Sequence, residues 1–136
     1  IGCYNYALYE NAKTYGVTCH HMAARVDTGP VIAVKRFPLF PSDTVDSLFA
    51  RTYDYLLTLF YEIAGLLVEG KTLPVSPEQW TRKPMTRRDL QALMRISPDM
   101  SREEVARRIR ATASSAMKPW IELHGFIFEW KGETHG

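Results

Sequence analysis

The chain is short of cysteine, of net charge and of long apolar runs, and each shortage excludes a class of protein. Two cysteines in 136 residues, Cys3 and Cys19, cannot build a disulfide framework or, by themselves, a four-ligand zinc site. Reduced thiols in a cytoplasmic protein are the expectation. Lys and Arg number 17 against 15 Asp and Glu, a net charge of +2, without the strong basic footprint of a dedicated nucleic-acid binder. The longest apolar stretch, Leu56 to Val68, is interrupted by Glu62 and falls short of the roughly 20 residues that cross a bilayer. No repeat and no low-complexity tract is visible. What remains is 46% hydrophobic and 24% charged, the composition of an ordinary globular protein. The length suits one compact domain with a small appendage. The chain opens Ile1-Gly2-Cys3-Tyr4 with no initiator Met, basic segment or apolar leader, and is expected to be a segment of a longer protein.

Local patterns divide the chain coarsely. Tyr4, Ala7 and Leu8 suit a short helix over residues 4–13, with Gly16 as its stop. Val17 to Met22 is rich in β-favouring residues and predicts a strand. Asp27-Thr28-Gly29-Pro30 is turn chemistry, and Val31 to Phe37 predicts a second strand, so that the two form a hairpin-like pair with Asp27 near its bend. Val45, Leu48, Phe49, Tyr53, Leu56, Phe60, Ile63 and Leu67 keep a 3.6-residue period that Gly70 closes. That helix is apolar on more than one side and is expected to be largely buried. Residues 71–85 hold three prolines and predict a surface linker. Thr86–Ile96 predicts another helix, and Ser101-Arg102-Glu103-Glu104 a capping box that starts a further one to about Ala113. His124-Gly125 separates two aromatic strands as a two-residue hairpin turn. The expected organisation is α/β: residues 1–70, a linker at 71–85, and a small helix and hairpin subdomain at 86–136.

The chemically informative stretch is Gly16-Val17-Thr18-Cys19-His20-His21-Met22-Ala23-Ala24-Arg25-Val26-Asp27-Thr28-Gly29-Pro30. A strand ends in paired histidines, and Asp27 follows His20 by seven residues at the start of a glycine turn. If the loop curls back, carboxylate and imidazole approach each other, an arrangement suited to proton transfer near neutral pH. An Asp before Thr-Gly is most often an ordinary Asx-turn residue, and the spacing alone favours that reading.

These residues resemble the signature of the formyltransferases that use 10-formyltetrahydrofolate, a family that includes methionyl-tRNA formyltransferases, sugar N-formyltransferases and glycinamide ribonucleotide transformylases. Its pattern runs Gly-Val-(Thr/Ser)-x-His, six residues, then Asp-x-Gly. Gly16, Val17, Thr18, His20, Asp27 and Gly29 meet it. The resemblance covers residues 1–74 well and the remainder loosely. It implies the carboxy-terminal half of a Rossmann-like formyltransferase domain with a helical and β-hairpin appendage. It also implies Asp27 as the catalytic aspartate, His20 as the histidine that supports the loop, and Arg25, Val26, Asp27 and Gly29 as donor-binding positions. The family's catalytic Asn and first His sit in an Asn-x-His-Pro segment, which these 136 residues do not contain; Asn5 and Asn11 match neither the motif nor its place. The implied donor is 10-formyltetrahydrofolate. The implied acceptor is an amine, a nucleotide-linked amino sugar first and methionyl-tRNA second, because the tail lacks the many short strands of a barrel domain. The competing reading is a non-catalytic dimerisation or regulatory module descended from such an enzyme.

Other features are assigned blander roles. His20 and His21 are adjacent on a strand and point to opposite faces, so no metal site is expected. Arg82, Lys83, Arg87 and Arg88, and the row Arg102, Arg107, Arg108 and Arg110, are interleaved with Asp89, Glu103 and Glu104 and predict solvated helix faces. His124 and His135 receive no role. Trp120, Phe126, Phe128 and Trp130 make the last hairpin aromatic. An isolated hairpin is marginal, so a homodimer through residues 120–130 is expected.

Overall fold

β-Branched and aromatic residues dominate strand β1 (Thr14–His20) and strand β2 (Val31–Pro38), and the two pair antiparallel from Thr14↔Pro38 to Cys19↔Ala33. This is the hairpin-like pair that the sequence predicts. The register then slips, so that His20 stands opposite Val31. Such an irregularity re-aims the side chain beside it, here His20. The computed structural model describes residues 2–82 and 84–132, and the predicted positions Lys83 and His135 lie outside them. Two compact units are present: residues 1–12, 41–48 and 85–136 form one, residues 13–40 and 49–84 the other. Each unit thus draws together segments that lie far apart in sequence.

In the unit that holds β1 and β2, Val17, Val31, Ile32, Phe37 and Leu59 are the buried apolar residues. Helix α2 (Val45–Val68) begins in the other unit and contributes here from Phe49 onward. Tyr55 stacks on Phe37 with centroids 4.4 Å apart, Arg51 donates to Pro38 O at 3.2 Å, and Lys35 pairs with Glu62 at 2.5 Å. The expectation that α2 is largely buried is corrected. Among its apolar residues only Val45, Leu48 and Leu59 are buried, while Phe60 is 61% and Tyr61 69% exposed. A two-stranded sheet covers one face of a helix; periodicity shows how wide the apolar stripe is but not how much of it finds a partner.

The other unit packs three helices and a sheet. Helix α1 (Cys3–Tyr9) ends earlier than expected and not at Gly16. Asn11 takes the left-handed conformation at φ 52°, with Asn11 N–H donating to Leu8 O and Ala12 N–H to Ala7 O, a complete Schellman cap. Gly16 instead serves close strand approach: a Cβ there would lie 2.6 Å from Lys35 O. Helix α3 (Arg87–Met94) carries a full capping box between Thr86 and Asp89. It is followed by β3 (Arg95–Ile96), helix α4 (Arg102–Thr112), β4 (Trp120–Leu123) and β5 (Phe126–Glu129). The sheet order is β3-β4-β5, with β3 parallel and β5 antiparallel to β4. His124 at φ 53° and Gly125 at φ 82° make the predicted tight turn, both residues left-handed as such a turn demands.

The capping box expected at Ser101 forms only in part. Ser101 Oγ accepts from Glu104 N–H at 3.2 Å, but the Glu104 carboxylate is drawn elsewhere. It accepts from Arg108 Nε at 2.6 Å, from Arg107, and from the Tyr9 hydroxyl at 2.8 Å. Arg108 also donates to the carbonyls of Ala92, Leu93 and Arg95, which the end of α3 leaves without helical partners. One carboxylate thus ties α1, α3 and α4 together, and these hydrogen bonds, Arg108's first, hold its pKa down at about 2. Asn5, which is buried, donates to Ala111 O at 2.7 Å.

Candidate functional site

The loop between β1 and β2 gathers every site residue named from sequence. His20 sits at the loop's start, half-buried, and Arg25, Val26 and Asp27 are exposed along it, while Gly29 is buried at its return. Two features of sequence shape this path. Thr28 Oγ1 donates to Arg25 O at 2.8 Å and closes a tight bend. Asp27 takes a left-handed φ of 54°, a conformation that Asp tolerates better than most residues. The loop then closes on itself, with His21 N–H donating to Pro30 O at 2.9 Å. Gly29 is required at that closure, since a Cβ would stand 1.6 Å from His21 O. Any side chain there would force the two limbs of the loop apart.

His20 and Asp27 are brought onto one loop but are not joined. His20 Nδ1 lies 2.9 Å from His21 O; a carbonyl only accepts, so Nδ1 carries the hydrogen of this contact. Among the described residues no hydrogen bond or ion pair engages the Asp27 side chain. Its carboxylate therefore stands free at an exposed bend, and the direct approach to the imidazole expected from sequence is absent from this arrangement. Seven residues of spacing permit the approach, but the hydrogen bond within the loop satisfies the ring locally.

Sequence reasoning missed the contribution of residues 71–82. This stretch has no helix or strand, as a linker should, yet it returns to β2 and is fastened there. Ser76 N–H donates to Val31 O at 3.0 Å. Arg36 holds Glu78 through two hydrogen bonds, and that guanidinium keeps the Glu78 carboxyl below its ordinary pKa. Trp80 Nε1 donates to Gly29 O at 2.7 Å, and its ring meets His20 edge-on at 4.9 Å. The only signal in the sequence was a tryptophan among prolines. A groove of about 310 Å³ also runs between β1 and α2, lined by Thr18, Cys19, Leu56, Phe60, Ile63 and Leu67. Its lining is almost wholly apolar, and the Cys19 thiol is the ionisable group in it. Among the described residues no helix is long and apolar enough to cross a membrane, and no group of three or more His, Cys, Asp or Glu is placed to hold a metal ion.

Comparison with known proteins agrees with the motif. Residues 1–62 match the formyl transferase family. A methionyl-tRNA formyltransferase of Dictyoglomus thermophilum is 34% identical over 73 residues, covering 54% of this chain and 23% of that protein. Among solved structures, a sugar N-formyltransferase from a Shewanella species superposes with a TM-score of 0.80 at 19% identity, over 96% of this chain and 54% of its own. The sugar 3N-formyl transferase WlaRD, solved with dTDP and 5-N-formyl-THF, gives a TM-score of 0.65 at 22% identity, over 82% and 40%. The chain thus spans about a quarter of the curated relative and 40–54% of these structures, which share its mixed α/β fold. Residues 1–62, where the Gly16-Val17-Thr18-x-His20 strand and the Asp27-x-Gly29 turn lie, are thus similar in sequence to the formyl transferase family.

Proposed function

We propose that this chain supplies the aspartate-bearing part of a site that moves a formyl group from 10-formyltetrahydrofolate to a primary amine, that of a nucleotide-linked amino sugar. The observation that carries this reading is the bend itself. Asp27 is held at a left-handed φ on a loop closed by a glycine that admits no side chain, and its carboxylate is left uncommitted.

The chemistry gives such a carboxylate a task. The amine nitrogen attacks the formyl carbon, a carbon–nitrogen bond forms, and the carbonyl oxygen gathers negative charge that needs hydrogen-bond donors. The attacking nitrogen must shed a proton. When the bond from the formyl carbon to N10 of the donor breaks, N10 must gain one. Asp27 accepts the first proton, directly or through one water. His20, with Nδ1 tied to His21 O, supports the loop. Arg25, Val26 and Gly29 share the loop and form the donor's contact line. The oxyanion donors belong to the Asn-x-His-Pro segment that the resemblance implies and that these residues do not contain.

Methionyl-tRNA is the second acceptor, favoured by the 34% identity to the Dictyoglomus protein. The sugar acceptor is preferred because a sugar N-formyltransferase superposes over 96% of this chain with a TM-score of 0.80. The test is formyl transfer by the full-length protein from 10-formyltetrahydrofolate to a panel of nucleotide-linked amino sugars and to methionyl-tRNA. Asp27→Asn keeps the size and the turn preference while removing the charge. Turnover should fall roughly 10²–10⁴-fold with binding retained. Turnover within a few-fold of the parent refutes the role of Asp27, and transfer to none of the amines refutes the function.

A further inference from the structure

Trp80 belongs to no motif and lies in a stretch without secondary structure, yet it touches both limbs of the loop that carries Asp27. Its indole N–H donates to Gly29 O at 2.7 Å, where the loop enters β2. Its ring stands at 88° to the His20 ring with centroids 4.9 Å apart, where the loop leaves β1. Those two points already crowd one another, since a Cβ on Gly29 would lie 3.3 Å from His20 Nδ1. The residues that deliver Trp80 are themselves fastened to β2 by Ser76 and Glu78. Burial of an apolar ring is not a sufficient reason for this placement, because Trp80 remains 39% exposed.

We propose that Trp80 is a positioning residue for the formyl-transfer site. By holding the His20 ring edge-on and the Gly29 carbonyl in place, it keeps His20 in the Nδ1–H form and keeps the bend that presents Asp27. The consequence for turnover rests on the formyltransferase reading; the consequence for the loop does not. Without the indole, the His20 ring is free to turn from His21 O and to exchange tautomers. The Gly29 carbonyl loses its partner, and the limb behind Asp27 loosens. A tryptophan serves both purposes at once because one rigid side chain offers a wide apolar edge and a single donor.

Two variants separate the functions, since Trp80→Phe keeps a ring and removes the donor while Trp80→Leu removes both. In the full-length protein, imidazole nitrogen-15 shifts should report His20 chiefly as the Nδ1–H tautomer. Trp80→Leu should give a tautomer mixture. Amide exchange at His21, whose N–H closes the loop on Pro30 O, should rise about tenfold in Trp80→Phe, the size of effect that one lost hydrogen bond produces. In the transfer assay kcat should fall about tenfold for Trp80→Phe and further for Trp80→Leu, with KM for the donor changing less than kcat. A merely structural tryptophan would lower the melting temperature and leave the tautomer of the folded protein unchanged. An unaltered His20 tautomer and unaltered loop exchange in Trp80→Leu would overturn the proposal. Should the parent transfer no formyl group, the tautomer and exchange measurements still decide the role of Trp80, while the functional reading alone fails.

Discussion

Replacing Glu104 by Gln leaves the shape of the α1–α3–α4 junction and removes the charge that three neighbours share. In the folded protein the carboxyl is held at about 2, first by the Arg108 hydrogen bond and then by Arg107 and Tyr9, against an ordinary 4.5. A group whose folded pKa is depressed stabilises the fold at pH values above its unfolded pKa, and that stabilisation is lost as pH falls toward the folded one. A gap of about 2.5 units at about 1.36 kcal/mol each sets a ceiling of about 3.4 kcal/mol. The Glu104 side chain is 20% and that of Arg107 43% exposed, so solvent screening reduces the expected contribution to about 1–2 kcal/mol. Urea unfolding of the parent and Glu104→Gln at pH 7 should differ by that amount. The difference should begin to close below about pH 4.5, lose more than half of its size by about pH 3 and vanish near pH 2. A difference that stays constant from pH 7 to pH 3 would refute the reasoning, because the junction would then depend on geometry and not on the charge of Glu104.

Two further outcomes test the fold and the assembly. Leu8 is fully buried, so Leu8→Ala should cost about 2–5 kcal/mol in urea unfolding; a cost below about 1 kcal/mol would show that the α1 packing is wrong. The β5 residues Phe126, Ile127 and Phe128 are 69%, 67% and 54% exposed, and a second copy paired at residues 120–130 would cover them. Sedimentation of the full-length protein at micromolar concentration should then show a dimer that Ile127→Lys dissociates, and monomer alone in the parent would sink that expectation.

What the sequence determined by itself is local. The 3.6-residue period fixed the extent of α2 within a residue or two, and the demand for two left-handed residues fixed His124-Gly125 as the last turn. The β-rich runs and the Asp27-x-Gly29 turn gave the β1–β2 pair and its bend, since such signals depend on residues a few positions apart. The tertiary structure decided everything that needed a distant partner. Glu104 left its capping box for Arg107 and Arg108 because charged donors outcompete a lone backbone N–H. Asn11 displaced Gly16 as the helix stop because a complete Schellman cap formed there, freeing Gly16 for the close approach to Lys35. The exposed face of α2 was invisible in its own periodicity, which records what a helix can bury and not what is available to cover it. Trp80 reached Gly29 and His20 across 51 and 60 positions of sequence. No local propensity encodes such a contact, because it exists only once the segment after α2 has folded back onto β2.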